Sequence, residues 1–224
     1  MYILYIEGMQ YSNIPDQDIV IKNVTFQDIP RIIELQKESF PSMLEEGSVW
    51  GKRHLQSHVE IFPEGQFCVE FKNKIIGSSS SLIVKLPSEY EVHTFSQVTG
   101  NSLFTTHEPK GDSLYGADIS VHPDFRRLGI ATLLYKARKD LAIKLNLRRI
   151  IAGGRLINYY KYAGKLSPEE YVQYVIDEQI SDQVLTFQLR NDFKFIKILS
   201  NYIKDSRSLN YATFIEWINP YYKK

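Results

Sequence analysis

Residues 113–145 read SLYGADISVHPDFRRLGIATLLYKARKDLAIKL. The first nine residues have the pattern of a β-strand, which ends at His122-Pro123. After a short basic turn, the apolar residues recur at steps of three and four, which predicts a helix over about residues 131–145. A strand, a turn with one glycine and a long helix together predict an α/β domain, and the turn is the candidate functional loop.

The turn, Arg126-Arg127-Leu128-Gly129-Ile130-Ala131, has the chemistry of a phosphate-binding loop. Gly129 and Ala131 keep bulky side chains away, so that backbone N–H groups can approach a phosphate. The following helix directs the positive end of its dipole at the same place, and the two arginines and Thr132 add donors. A basic turn without a ligand is the alternative. The turn lacks the Gly-Lys-Ser/Thr end of a P-loop and the three glycines of a dinucleotide fold, so a nucleotide-binding protein is a weak alternative.

Outward from this stretch, the chain predicts elements in the order β-α-α-β-β-β-α-β-α-β-β, a mixed sheet with helices on both faces. Strands are predicted at 19–24, 67–71, 75–84, 113–121, 149–152, 193–199 and 211–217, with Gly153-Gly154 closing the fifth. Helices are predicted over 28–39, 49–61, 131–145, 168–175 and 184–190, and Ser167-Pro168-Glu169-Glu170 is a capping box. Residues 86–110 are polar and irregular, and are interpreted as an ordered excursion or a substrate loop.

Composition narrows the classes of protein. The 27 Lys+Arg and 26 Asp+Glu leave a net charge of +1, which gives no reason to expect nucleic acid or an anionic membrane as a partner. Cys68 is the single cysteine, so an intrachain disulfide and a multi-cysteine metal site are excluded, and a buried thiol in a reduced, cytoplasmic protein is expected. No apolar run approaches the ~20 residues that span a bilayer. We expect a leader over residues 1–18 and one domain over 19–220.

The histidines predict no metal centre. His54 and His58 lie one helical turn apart, but without a third ligand in register a plain helix surface is favoured. His122 belongs to the turn and is expected to be structural. His93 and His107 flank the irregular segment, and a contact with substrate is left open for both.

The segment 118–131, Asp118 to Ala131, resembles the signature of the GNAT (Gcn5-related N-acetyltransferase) superfamily, a V-x-P strand end followed by Arg/Gln-x-x-Gly-x-Gly/Ala. The order of elements over about residues 19–217 is also similar. The resemblance implies the GNAT fold, with a mixed, mostly antiparallel sheet of six to seven strands. It implies acetyl-CoA as co-substrate, no metal, and transfer of an acetyl group to a small-molecule or peptide amine. A homodimer is left open.

The resemblance also implies the site residues. The pantetheine arm would lie along the strand and the pyrophosphate on the loop. The implied coenzyme-binding residues are Ile119, Ser120, Val121, Arg126, Arg127, Leu128, Gly129, Ile130, Ala131 and Thr132. Asp118 is the candidate base, with Glu108 as second choice and a plain strand residue as the alternative. Gln188 stands where the family has a tyrosine acid, so Tyr159, Tyr160 or Tyr162 would have to replace it, unless these pack as a lid.

A closer resemblance is to the acetyltransferase-type domain fused to nitrilase-type amidohydrolases. It rests on four segments: 116–119, 152–155, 166–171 and 187–191. This subgroup, together with Gln188, keeps a second function open. The chain could be a catalytically silent acyl-CoA-binding module that regulates or docks a partner enzyme.

Overall fold

The structure, a computed structural model, describes residues 19–45, 47–87 and 89–224, so the leader predicted for residues 1–18 lies outside the described residues. Within them, seven strands form one sheet: β1 Ile19–Asn23, β2 Gln66–Phe71, β3 Lys74–Val84, β4 Ser113–Val121, β5 Arg149–Arg155, β6 Lys194–Leu199 and β7 Ala212–Ile218. The helices are α1 Ile29–Ser39, α2 Pro41–Glu45, α3 Lys52–Ile61, α4 Phe95–Thr99, α5 Ile130–Lys144, α6 Pro168–Ile176 and α7 Leu185–Arg190.

The strands lie in the order β1-β2-β3-β4-β5-β7-β6. Every neighbouring pair is antiparallel except β4 and β5, which are parallel. The predicted mixed, mostly antiparallel sheet is therefore confirmed.

Two hydrophobic layers sandwich the sheet. On one face lie buried side chains of α5, α6 and α7, among them Leu133, Val172 and Leu185. On the other lie those of α1, α3 and α4, among them Ile32, Leu55 and Phe95. The helices lie on both faces of the sheet, as predicted. Residues of the candidate site also lie on both faces. In the described residues no helix combines the length and apolar character needed to cross a membrane.

Local sequence signals fix where the helices start. At α6 the predicted capping box forms: the Ser167 N–H donates to Glu170 Oε2 at 2.7 Å and the Glu170 N–H to Ser167 Oγ at 3.2 Å. At α5 the residue before the helix is Gly129, whose φ of 81° lies in the left-handed region that glycine adopts at little cost. Asp192, after α7, also has a positive φ of 64°, a left-handed conformation that aspartate adopts more readily than most residues.

The predicted end of β5 at Gly153-Gly154 is wrong. The strand continues to Arg155, and both glycines pair with β7, at Phe214 and Thr213. They are needed for a different reason, because a Cβ at Gly153 would lie 2.1 Å from the ring of Tyr202 and one at Gly154 would lie 2.2 Å from Gln188 Oε1. The glycine pair therefore makes room for large side chains on both faces of the strand.

The irregular segment 86–110 contains a helix that sequence reasoning missed. Thr94 caps α4 and accepts a hydrogen bond from the Gln97 N–H, and the segment buries Phe95, Val98 and Phe104 against the sheet. The interpretation as an ordered excursion is thus confirmed. The short apolar spacing of a five-residue helix is too weak a pattern to predict it.

Candidate functional site

A gap opens between β4 and β5. The two strands pair from Ser113–Gly116 against Arg149–Ala152, and beyond Gly116 β4 pairs with β3 alone. Ala117 is a β-bulge, since Gly116 and Asp118 oppose the consecutive residues Ser81 and Ser80. The bulge bends β4 away from β5, so the residues after it present an edge without a strand partner on that side.

A buried arginine of α5 lies under the bulge. Arg138 donates hydrogen bonds to Ser81 Oγ at 2.9 Å, to the Ser80 carbonyl at 3.1 Å and to the Asp118 carbonyl at 2.7 Å. A Cβ at Gly116 would lie 2.7 Å from its guanidinium, so glycine is required there. Burial lowers the pKa of Arg138. Its three acceptor oxygens compensate part of that cost and hold the bulge in shape.

The basic turn before α5 presents unpaired donors. Arg127 and Gly129 have positive φ values of 64° and 81°. In the described part of the chain, no backbone N–H from Arg127 to Thr132 donates to another residue of the protein. Together with the helix N-terminus, these N–H groups form a cradle for an anion of phosphate size. Arg126 instead ties the turn to the fold, because its guanidinium donates to the carbonyls of Val121 and Ser39.

Of the predicted coenzyme residues, Ile119, Val121 and Ile130 lie on the α5 face, whereas Ser120 Oγ donates to Asp118 of the pocket on the other face. Ile119 and Val121 pack against the hydrophobic layer under α5, next to the open edge of β4. The turn follows directly at the end of that edge. An extended thioester arm along β4 would therefore end with its phosphates at the turn. Acetyl-CoA fits this arrangement, because the edge offers strand-type hydrogen bonding and the turn offers N–H donors.

A pocket of about 80 Å³ lies at the gap and is bordered by residues of the α1 face. Its lining residues include Phe40, Trp50, Phe95, Asp118, Gly153, Arg155 and Tyr202. The pocket is mainly apolar and aromatic, with one carboxylate and one guanidinium. Such a lining suits a small organic group with one polar end.

The carboxyl of Asp118 has an unusual environment. Burial raises its pKa from 3.8 to about 6, although the Ser120 hydroxyl and the positive charges of Arg138 and Arg155 pull the pKa down. Ser120 Oγ donates to Asp118 Oδ2 at 2.8 Å. A carboxylate whose pKa approaches neutrality is suited to take up and release a proton during a reaction.

Gln188 lies on the opposite face of β5 from the pocket. Its side chain lies against Gly154, and its buried Oε1 has no hydrogen-bond donor within the described residues. The side chain also contacts the Tyr135 hydroxyl, and burial raises the pKa of Tyr135. A free carbonyl oxygen at this position can accept a hydrogen bond from a ligand, but an amide cannot act as an acid near neutral pH.

The structure does not bring Tyr159 and Tyr160 to Asp118. The buried Tyr159 hydroxyl donates to the Leu166 carbonyl at 3.0 Å, and its ring packs on Tyr171. Tyr160 is 48% exposed. Neither is among the pocket residues, and Tyr159 packs against α6. The tyrosine at the pocket is Tyr202, which sequence reasoning missed.

The remaining candidates have structural partners. Glu108 is exposed and its carboxylate accepts from the Lys110 N–H. His107 Nδ1 accepts from the Ile83 N–H, and His122 Nδ1 accepts from the Asp124 N–H in the turn. The expected plain helix surface for His58 is wrong, since it is buried and stacked on Phe104 with ring centroids 3.6 Å apart.

The pocket and the gap also contain residues that the sequence did not reveal. Arg138, Arg155 and Tyr202 come from α5, the end of β5 and the β6–β7 connection. Arg155 makes an ion pair with the buried Asp205 at 3.4 Å. The signal available in the sequence was the pair Gly153-Gly154, since two adjacent glycines inside a strand indicate close approach of other groups.

A sequence model described as the acetyltransferase (GNAT) family matches residues 29–164. The probable hydrolase YhcX of Bacillus subtilis (strain 168) is 47% identical over 205 residues, which are 91% of this chain. The chain spans 39% of that relative's length. The uncharacterized N-acetyltransferase YkwB of the same organism is 41% identical over 206 residues, covering 92% of this chain and 91% of the relative.

Solved structures share the fold. The loading GNATL domain of CurA from Lyngbya majuscula superposes with a TM-score of 0.77 at 18% identity, covering 90% of this chain and 98% of that chain. The GphF GNAT-like decarboxylase in complex with isobutyryl-CoA has a TM-score of 0.73 at 19% identity, with 89% and 98% covered. At these identities the likeness establishes the fold.

Proposed function

The chain belongs to the GNAT acetyltransferase family, and we propose that residues 19–220 move an acetyl group from acetyl-CoA directly to a primary amine. One observation carries the proposal. The Asp118 carboxyl, with a pKa of about 6, lines a pocket at the gap between β4 and β5, on the opposite face of the sheet from the phosphate cradle. An amine and a thioester arriving from the two faces would meet at that gap.

On the coenzyme side, the chain supplies binding and orientation. The N–H groups of Arg127 to Thr132 would hold the pyrophosphate, and the edge of β4 at Ile119 and Val121 would hydrogen-bond the pantetheine arm. A backbone N–H of the same edge, at Ile119 or Val121, would stabilise the oxyanion of the tetrahedral intermediate.

On the acceptor side, Asp118 is the one carboxylate that lines the pocket. The charges of Asp118 and Asp205 are balanced by those of Arg138 and Arg155, so the partner proposed for an ammonium group is the Asp118 carboxylate itself rather than a net negative field. The aromatic wall of Phe40, Trp50 and Phe95 accommodates an apolar body. The acceptor proposed here is a small primary amine with an apolar or aromatic body, bound as the ammonium ion.

Direct transfer then needs a proton acceptor more than a proton donor. The Asp118 carboxylate would take a proton from the nitrogen during attack on the thioester carbonyl. The departing thiolate has an intrinsic pKa near ~8.5, so it can leave without a dedicated acid. That is consistent with Gln188 standing where the family's tyrosine is expected.

The second function, an acyl-CoA-binding module without turnover, is favoured by one observation. The chain spans 39% of the length of YhcX, which is described as a probable hydrolase, and the matching part there belongs to a larger protein. Such a module would need the phosphate cradle but not the raised pKa of Asp118.

Transfer to amines separates the two functions. Free thiol released from acetyl-CoA is measured with a panel of small primary amines, alongside binding of CoA by calorimetry. Asp118→Asn is expected to bind CoA as tightly as the parent and to transfer the acetyl group about 10²–10⁴-fold more slowly, because it lacks the general base. CoA binding without turnover on any amine would leave the binding module.

A further inference from the structure

Three hydrogen-bonded side chains lead from the pocket into the α1 face of the sheet. Tyr202 lines the pocket, and its Oη lies 2.7 Å from Tyr115 Oη. Tyr115 Oη in turn lies 3.0 Å from His93 Nε2. His93 Nδ1 lies 2.8 Å from the carbonyl oxygen of Glu91. The chain thus links the pocket to the segment before α4, where Glu91 and Val92 are exposed.

The direction of each hydrogen bond follows from the last one. A carbonyl oxygen only accepts, so His93 carries a hydrogen on Nδ1. Burial lowers the pKa of His93, so the ring is neutral and Nε2 accepts. Tyr115 therefore donates to His93 and accepts from Tyr202. All three bonds point away from the pocket, and a lone pair of Tyr202 is left to accept a proton from a bound group.

The neighbouring residues shield these three side chains from solvent and hold them in place. Tyr115 is fully buried, Tyr202 is 3% exposed and His93 is 8% exposed. The ring of Phe214 packs edge-on against His93 at 5.2 Å. A Cβ at Gly153 would overlap the Tyr202 ring, so the glycine lets the hydroxyl reach Tyr115. Burial raises the pKa of both tyrosines, so each passes a proton on as a neutral hydroxyl rather than ionising.

The proposed reaction releases a proton, so it needs a path by which that proton can leave the pocket. An acceptor bound as ammonium loses two protons from its nitrogen, one to become nucleophilic and one after the C–N bond forms. Asp118 holds one proton at a time, and the departing thiolate consumes one in forming CoA thiol. One proton per turnover must therefore leave for solvent.

We propose that Tyr202, Tyr115 and His93 form a proton relay that removes the first proton from the ammonium group of the acceptor. The nitrogen gives a proton to Tyr202, Tyr202 gives its own to Tyr115, and Tyr115 gives its own to His93 Nε2. The imidazolium then releases a proton to solvent beside Glu91. The neutral amine attacks the thioester carbonyl, the C–S bond breaks, and the second proton passes by way of Asp118 to the thiolate. The inference rests on the proposed function.

Charged groups face both ends of the relay. At His93, the Glu91 carboxylate favours the protonated ring and Lys197 disfavours it. At Tyr202, the positive charge of Arg155 favours loss of a proton. Asp118 lines the same pocket as Tyr202 and favours the ammonium form of the acceptor. Burial has the largest effect on His93 and lowers its pKa, so a proton that reaches the ring is readily released beside Glu91, while Arg155 disfavours a proton at the pocket end.

The test compares two acceptors of nearly the same shape. Phenethylamine is an ammonium ion at neutral pH, with a pKa near the ~10 of a lysine side chain. O-benzylhydroxylamine has oxygen in place of one methylene, which makes it neutral under the same conditions, so it needs no first deprotonation. Tyr115→Phe removes the central hydroxyl and keeps the ring. Tyr171→Phe, which removes a buried hydroxyl of α6 that donates to Asp182, is the matched control for the loss of a buried hydrogen bond.

Tyr115→Phe is expected to lose about 10²-fold in kcat/KM for phenethylamine, the low end of general-base effects, and to stay within a few-fold of the parent for O-benzylhydroxylamine. Raising the pH toward the pKa of phenethylamine should restore its rate. The glutamine of His93→Gln cannot take up a proton, so this variant should show the same losses as Tyr115→Phe. It also tests the relay if Tyr115→Phe does not fold.

Equal losses on both acceptors, or parental rates on both, would overturn the relay while leaving the proposed function intact. A parent that acetylates neither compound would remove the proposed function for this class of amine, and the relay with it. Tyr171→Phe should keep the parental ratio of the two rates.

Discussion

Asp118 should cost the protein stability at neutral pH, and replacing it by asparagine should recover that stability. The folded state holds the pKa of this carboxyl at about 6 against an ordinary value of 3.8, because the carboxyl is buried. The folded state therefore binds more protons than the unfolded chain between these two pH values. The contribution of Asp118 to stability therefore falls as pH rises through this window and stays level above it.

The size of the effect follows from the shift. A pKa raised from 3.8 to about 6 corresponds to at most about 3 kcal/mol of lost stability once the carboxyl is fully ionised. The asparagine side chain is nearly isosteric, and its oxygen can still accept the Ser120 hydrogen bond. Asp118→Asn should therefore be more stable than the parent by up to about 3 kcal/mol at about pH 7.5, and by only about 0.6 kcal/mol at about pH 4.

Urea unfolding of both proteins at these two pH values measures the difference. Asp177→Asn, at an exposed position, is the control for the change of side chain. A gain in stability that is the same at both pH values would refute the reasoning, since it would not come from ionisation. A variant that is both more stable and slower would show that Asp118 is kept for activity at a cost in stability.

Three further outcomes are expected. Gly129→Glu should abolish the thermal stabilisation by CoA while the protein still folds, because the glutamate side chain and its charge enter the phosphate cradle. The control is Gly164→Glu, whose Cβ would meet nothing within 4 Å, and it should keep the stabilisation. Tyr159→Phe should retain parental transfer rates to amines, because its hydroxyl is donated to the Leu166 carbonyl; a large loss of rate would restore it as the acid. Burial lowers the pKa of His58 from 6.5 to about 3, so the unfolded chain takes up this proton first as the pH falls. Between about pH 7.5 and pH 5, His58 should therefore lower the free energy of unfolding of the parent by about 2 kcal/mol. Urea unfolding of His58→Phe should show that this loss is absent, and an unchanged dependence of stability on pH would contradict the prediction.

Local patterns predicted most of the fold. The helix after the turn was predicted because its apolar residues follow a 3.6-residue period over four turns, and the start of α6 because Ser167 and Glu170 form a capping box. The backbone geometry of the turn, on which the proposed phosphate cradle depends, was predictable for the same reason, since a glycine at a helix start determines the backbone conformation within a few residues. These features depend on neighbours in sequence.

The row of hydroxyls at the pocket depends on contacts between distant residues. Tyr115 and Tyr202 are 87 residues apart, and no local period relates a residue of β4 to one in the connection between β6 and β7. The tyrosines chosen from the sequence were those adjacent to a predicted strand end, and that end was misplaced. With 15 tyrosines in the chain, residue type alone does not distinguish a hydroxyl at the pocket from one that packs against α6.

Three glycines explain why a site can form at the gap. Gly116 admits the guanidinium of Arg138, Gly153 admits the ring of Tyr202, and Gly154 admits the amide of Gln188. Each places a large polar side chain directly against a strand at the point where β4 and β5 separate, and Gly153 and Gly154 do so on opposite faces. A site where two substrates meet through a sheet needs polar groups on both faces within a few ångströms of the backbone. A Cβ at any of the three positions would hold its polar group farther from the strand, and the proposed reaction would lose the geometry that the bulge at Ala117 provides.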